Sequence, residues 1–302
     1  MSGGPPATAA SAHVPVKHRR LTCRRQHKRG ANRMKAWGMM LARVAVVIGL
    51  YFAWFFTVTT LFFDYLYPRS TWFEQNKVTV IILNDMVGLP LMLLAWRFIF
   101  KENLFKAAKF RVMSGKSVAI ALWIGLGAGL FTVAFSRLPA IATDKYQFRE
   151  LFDYLNRAEW YVFLVFLILG NIYKETLFRG ILMNEFRRVL PVWIAIVIQG
   201  VLYGALFFFG DIPLSLYGFL GAVIFALLYV WFKSIWAPIA AQVACQGSQY
   251  LLWHYGPETT DVTMMSTWMA VAAVMIAVGI FLAVKHRSSI SAPLSSEAVT
   301  PV

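Results

Sequence analysis

Residues 160–182 read WYVFLVFLILGNIYKETLFRGIL, and the fold follows from how that run is taken. It opens with apolar and aromatic residues only, from Trp160 to Gly170. It then carries Asn171, Lys174, Glu175 and Arg179 before returning to Ile181 and Leu182. A bilayer core about 30 Å thick is crossed by roughly 20 apolar residues in a helix. An ionisable group at the centre of such a helix costs about 2.5–3.5 kcal/mol on insertion scales, so these polar positions are the informative ones. Asn171, Glu175 and Arg179 stand at i, i+4 and i+8 and share one helix face, which lets Glu175 pair with Arg179 within the helix. A face of this kind has to point into a bundle or a wet cavity.

The rest of the chain repeats the pattern. Of its 302 residues, 59% are hydrophobic and 14% charged, against about 25% charged in soluble domains. Seven further apolar stretches, near 37–63, 78–100, 117–136, 191–210, 214–232, 235–254 and 266–284, predict an all-α, multi-pass transmembrane helical bundle of about eight spans. Asn84 and Asp85 in the second span and Gln199 in the fifth are further polar points. In the seventh span, Gln242, Gln246 and Gln249 share a face, where amides hydrogen-bond across helices. Residues 140–159 mix charges with Phe148, Leu151, Phe152 and Leu155, as an interfacial amphipathic helix would.

The net charge of +15 is distributed as membrane orientation requires, not as a nucleic-acid surface. Nine of the 29 basic residues precede Ala36, and half of the others fall in alternate loops: Lys101–Lys116, Arg187 and Arg188, Lys233, Lys285 and Arg287. The positive-inside rule then puts both termini in the cytoplasm of a cell-membrane protein. Residues 1–35 read as a basic, disordered arm, 36–287 as the membrane domain and 288–302 as a disordered tail. Met34 opens a second plausible start for the membrane protein. Cys23 lies in the arm and Cys245 in a span, so no disulfide framework is expected.

The string Lys174-Glu175-Thr176-Leu177-Phe178-Arg179-Gly180 resembles the first signature, Glu-Glu-x-x-x-Arg, of the CPBP intramembrane proteases, the CAAX prenyl endopeptidase and bacteriocin-processing (Abi) family. Tyr203-Gly-Ala-Leu-Phe207 falls where the second signature, Phe-x-x-x-His, is expected. Gln242-Val-Ala-Cys-Gln246 falls where the third, His-x-x-x-Asn/Asp, is expected. The resemblance spans residues 160–255 and implies a CPBP-like core. In that family the first glutamate and the two histidines are thought to activate water, with or without a metal. Here these positions hold Lys174, Phe207 and Gln242, of which the last two neither accept nor release a proton near neutral pH. No histidine occurs between His27 and His254, which argues against a zinc site with its usual three protein ligands.

Lys174, Glu175, Arg179, Phe207, Gln242 and Gln246 are therefore family-equivalent positions with no catalytic role assigned, and neither a cofactor nor a metal is expected. The expected function is that of a non-catalytic binding or scaffold protein. Its partners are the lipid bilayer and another membrane protein or a membrane-bound peptide, not nucleic acid. An active peptidase that uses Glu175 and a transporter are the alternatives. The lack of an internal repeat argues against the transporter.

Overall fold

A computed structural model describes residues 16–142, 148–208, 210–258 and 260–291. The chain is all-helical among them. Its elements are α1 (Val16–Leu61), α2 (Thr71–Gln75), α3 (Thr79–Phe98), α4 (Leu104–Ala107), α5 (Gly115–Ser136) and α6 (Phe148–Asn156). They continue with α7 (Trp160–Glu175), α8 (Asn184–Phe186), α9 (Val192–Phe207), α10 (Ile212–Phe232), α11 (Trp236–Tyr255) and α12 (Val262–Ser291). A π-helical stretch, Thr176–Met183, joins α7 to α8 in one continuous rod.

Six stretches are long and apolar enough to cross a bilayer: Met34–Arg69, Thr79–Phe98, Gly115–Ser136, Trp160–Phe186, Ile212–Phe232 and Val262–Arg287. The other two expected spans are also helices. One, α9, is apolar but shorter, and the other, α11, carries the three glutamines. The protein is a multi-pass helical membrane bundle.

Two expectations need adjustment. Residues 16–35 are helical in the structure, where the arm was expected to be disordered, and residues 1–15 lie outside the described part. Extending an existing helix needs no new nucleus, and this Lys- and Arg-rich stretch suits a helix. At the other terminus α12 runs on to Ser291, and residues 292–302 lie outside the described part.

Because every span is apolar on most sides, packing depends on small residues and polar contacts. Helix α5 is clamped on both sides by glycines. A Cβ at Gly125 or Gly129 would strike the backbone carbonyl of Ala241 or Cys245 on α11, and one at Gly127 would lie 3.0 Å from the Met275 Cβ on α12. Helix α7 is the centre of the bundle. Its Tyr173, with Leu177, Phe178, Ile181 and Leu182 beyond it, packs against Met92 and Trp96 of α3 and Tyr229 of α10 in the largest core cluster.

Each end of the bundle has its own fastenings. At one end α6 lays Phe148 and Phe152 on Leu214, with Phe135, Tyr217 and Trp253 alongside, as the amphipathic pattern of that segment suggested. The Tyr154 hydroxyl donates to the Lys77 carbonyl. At the opposite end Arg43 of α1 bridges Glu102 at 2.9 Å and Glu185 of α8 at 3.2 Å. Arg188 closes the network onto both acids at 3.0 Å. The hydrogen bond from Arg43 leads the effects that hold the Glu102 carboxyl below the usual carboxylate value.

Candidate functional site

The site grows from the rod formed by α7 and the π-helical stretch. Glu175 is its last α-helical residue and Arg179 lies one turn on, so the two side chains meet without help from another helix. Arg179 Nη1 donates to Glu175 Oε1 at 2.9 Å, and both side chains are 0% exposed. Short π-helical insertions in α-helices recur at functional sites, since the wider turn redirects side chains.

Three other helices complete the shell. From α11, Gln242 Nε2 donates to the same Oε1 of Glu175. From α10, the Ala222 carbonyl accepts from Arg179 Nη2 at 3.0 Å and from Gln199 Nε2 of α9 at 3.2 Å. The rings of Tyr203 and Phe225 lie 5.2 and 5.9 Å from the guanidinium carbon. One turn back on α7, Asn171 Nδ2 donates to Gln246 Oε1 at 2.8 Å. The expected face of Asn171, Glu175 and Arg179 therefore meets the expected amide face of α11.

The cluster is polar beyond its own pairing. Glu175 Oε2, Asn171 Oδ1, Thr176 Oγ1, Arg179 Nε and Gln199 Oε1 are buried and find no hydrogen-bond partner among the described residues. Buried polar atoms of this kind are few in folded proteins, and here five gather on neighbouring helices.

The structure separates two of the six positions from this centre. Phe207 is 39% exposed and stacks with Tyr203 and Phe178 at 4.9 and 5.6 Å, so it borders the cluster only through those rings. Lys174 forms no ion pair within 4 Å among the described residues, although Glu175 is its neighbour in sequence. A helix explains this, because Arg179 at i+4 shares the Glu175 face while Lys174 is rotated by one residue. Lys174 remains in electrostatic range of Glu175 and Asp85. Asp85 is buried on α3, accepts from Asn84 Nδ2 at 3.0 Å and faces Gly170 of α7.

A metal finds no donor set here. The cluster offers one carboxylate with amides, and among the described residues no three His, Cys, Asp or Glu side chains gather to hold an ion.

Residues 156–248 match the family model described as Type II CAAX prenyl endopeptidase Rce1-like. The match supports the CPBP family assignment. It covers the whole cluster, from the start of α7 through Gln246 of α11. No curated protein and no solved structure matches the chain. The likeness to CAAX prenyl endopeptidases thus lies in the stretch of this membrane protein in which α7, α9, α10 and α11 converge.

Sequence reasoning missed the Ala222 carbonyl and the Phe225 ring in the cluster and, away from it at the end of the bundle, Arg43. The Ala222 carbonyl has no side-chain signal and could not have been found. Arg43 could have been, because it is an ionisable residue inside an apolar span, the same signal that singled out Asp85.

Proposed function

We propose that this protein binds, and does not cut, a membrane-bound peptide or another membrane protein, and that its CPBP core serves as a scaffold. The observation that carries the reading is the state of Glu175. Water activation needs a group that takes a proton from water within hydrogen-bond reach. Glu175 is the one acid at the signature positions; its Oε1 is engaged by Arg179 and Gln242, and its side chain is wholly buried. Beside it Gln242 supplies a non-basic amide, and Phe207 is a ring set off from Glu175 by Tyr203 and Phe178. Such a centre holds helices in register and presents a formed surface without a proton shuttle. The charged end formed by Lys35, residues 101–116, Arg187, Arg188, Lys233 and Lys285 favours cytoplasmic termini in the cell membrane.

The test uses the full chain in lipid nanodiscs with fluorescent prenylated peptides and membrane-embedded peptides. The expected result is saturable binding by anisotropy with no cleavage by mass spectrometry. Peptide cleavage that disappears in Glu175→Ala overturns the reading and establishes a peptidase with an altered site.

A further inference from the structure

At the same end of the bundle as the Arg43 network, four cations from three separate segments come together without an acid. Lys109 and Arg111 follow α4, Arg187 follows α8, and Lys233 caps α10. Lys109 feels Arg187, Arg111 and Lys233, and Arg187 and Arg111 also act on the hydroxyl of Tyr229, whose ring lies 5.0 Å from Lys109 Nζ. Among the described residues no carboxylate pairs with any of the four, because Glu102 and Glu185 are taken by Arg43 and Arg188. Burial, helped by these like charges, pushes the Lys109 amine down to about 8.

The arrangement is built in. The Lys109 carbonyl accepts from Ile235 N–H at 3.0 Å, and the Arg111 carbonyl from Ser234 Oγ at 2.5 Å. Asn184 Nδ2 donates to the Ala107 carbonyl at 2.9 Å, which ties the same loop to α8. Lys109 and Lys233 have φ of 58° and 54°, left-handed conformations that a non-glycine residue keeps only when its surroundings impose them. Converging cations held this way against their own repulsion suit an anion with several acceptor oxygens.

We propose that Lys109, Arg111, Arg187 and Lys233 form a phosphate-binding site that holds the headgroup of an anionic phospholipid. The lipid source follows from the setting. Val112, beside Arg111, is 97% exposed, and Phe105 on α4 and Trp236 at the start of α11 are exposed as well. Phe110 meets Trp236 edge-on at 5.6 Å. Aromatic rings beside basic groups at the ends of spans mark the headgroup level.

The experiment is native mass spectrometry of the full-length protein released from detergent with phosphatidylglycerol, phosphatidylcholine or inorganic phosphate. Phosphatidylglycerol is expected to stay bound preferentially. The paired change Arg111→Gln and Lys233→Asn removes two exposed cations, and asparagine tolerates the left-handed backbone. It should weaken phosphatidylglycerol binding about 30-fold, at about 1 kcal/mol per basic residue near a membrane surface. Lys106→Gln with Lys116→Gln, an equally exposed pair outside the cluster, should leave binding unchanged. Equal retention of the two lipids, no loss in the first pair, or an equal loss in the second would overturn the site. Displacement of the lipid by equimolar inorganic phosphate would overturn the lipid assignment.

Discussion

Arg179→Met tests the centre of the bundle directly. The substitution keeps an unbranched side chain in the same space and removes the guanidinium. Two charge-assisted hydrogen bonds go with it, the 2.9 Å bond to Glu175 Oε1 and the 3.0 Å bond to the Ala222 carbonyl. Ala222 retains the Gln199 amide at 3.2 Å, so that acceptor is not orphaned. Glu175 is the larger loss. It stays wholly buried with the Gln242 amide as its one remaining donor among the described residues, where Oε2 already has none. Removing one member of a buried ion pair destabilises by about 3–5 kcal/mol, because the other charge is left without compensation. The retained Gln199 bond places the expectation within that range and not above it.

The readout is built into the chain. Cys245 is buried on α11, so in a Cys23→Ser background a fluorogenic maleimide reports unfolding through a single thiol. The variant should unfold at a clearly lower denaturant concentration than its parent. The paired change Glu175→Gln and Arg179→Met removes both charges and should recover most of the loss, since neutral replacements of buried ion pairs are often tolerated. Equal midpoints for parent and Arg179→Met would refute the reasoning, as would a paired variant that is as unstable as the two single losses added together.

Two further outcomes are expected. Gly125→Ala pushes a methyl group into the Ala241 carbonyl and should destabilise by about 1–3 kcal/mol in the same assay, whereas Gly49→Ala, which meets nothing within 4 Å, should not; equal effects would remove the α5–α11 contact as the cause. Lys109 should be acylated half-maximally near pH 8, well below the ordinary lysine value of 10.5, because burial removes the ammonium from water. The folded chain then binds fewer protons than the unfolded chain between about pH 8 and 10.5, so the penalty for burying this cation is fully present below that window and is relieved as pH rises through it. Labelling of Lys109 only near pH 10.5 would contradict this.

What the sequence made legible divides along a physical line. The eight spans could be read because a bilayer demands long apolar runs, and each corresponds to a helix. The pairing of Glu175 with Arg179 could be read because both lie on one rod, where a spacing of four fixes proximity. Contacts between rods were harder. Gly125 and Gly129 show a small-residue stripe in the sequence, yet nothing in it says that α11 is the helix that fits. Phe207 takes its position from α9 as a whole, and sequence spacing could not tell that its ring would border the cluster through Tyr203 and Phe178. Helices that are apolar all round give no preferred direction, so only polar side chains and missing ones set which faces meet.

Gln242 shows how the fold and the chemistry come apart. A side chain at that point of α11 reaches Glu175 across the helix interface, and any hydrogen-bond donor there fastens α11 to α7. An amide meets that requirement in full, since its NH₂ group donates. It does not meet the requirement of a proton relay, which needs a group that both takes and gives a proton near neutral pH. The interhelical contact therefore survives a residue type that proton transfer does not. For the same reason a match across residues 156–248 speaks for the bundle and not for its chemistry.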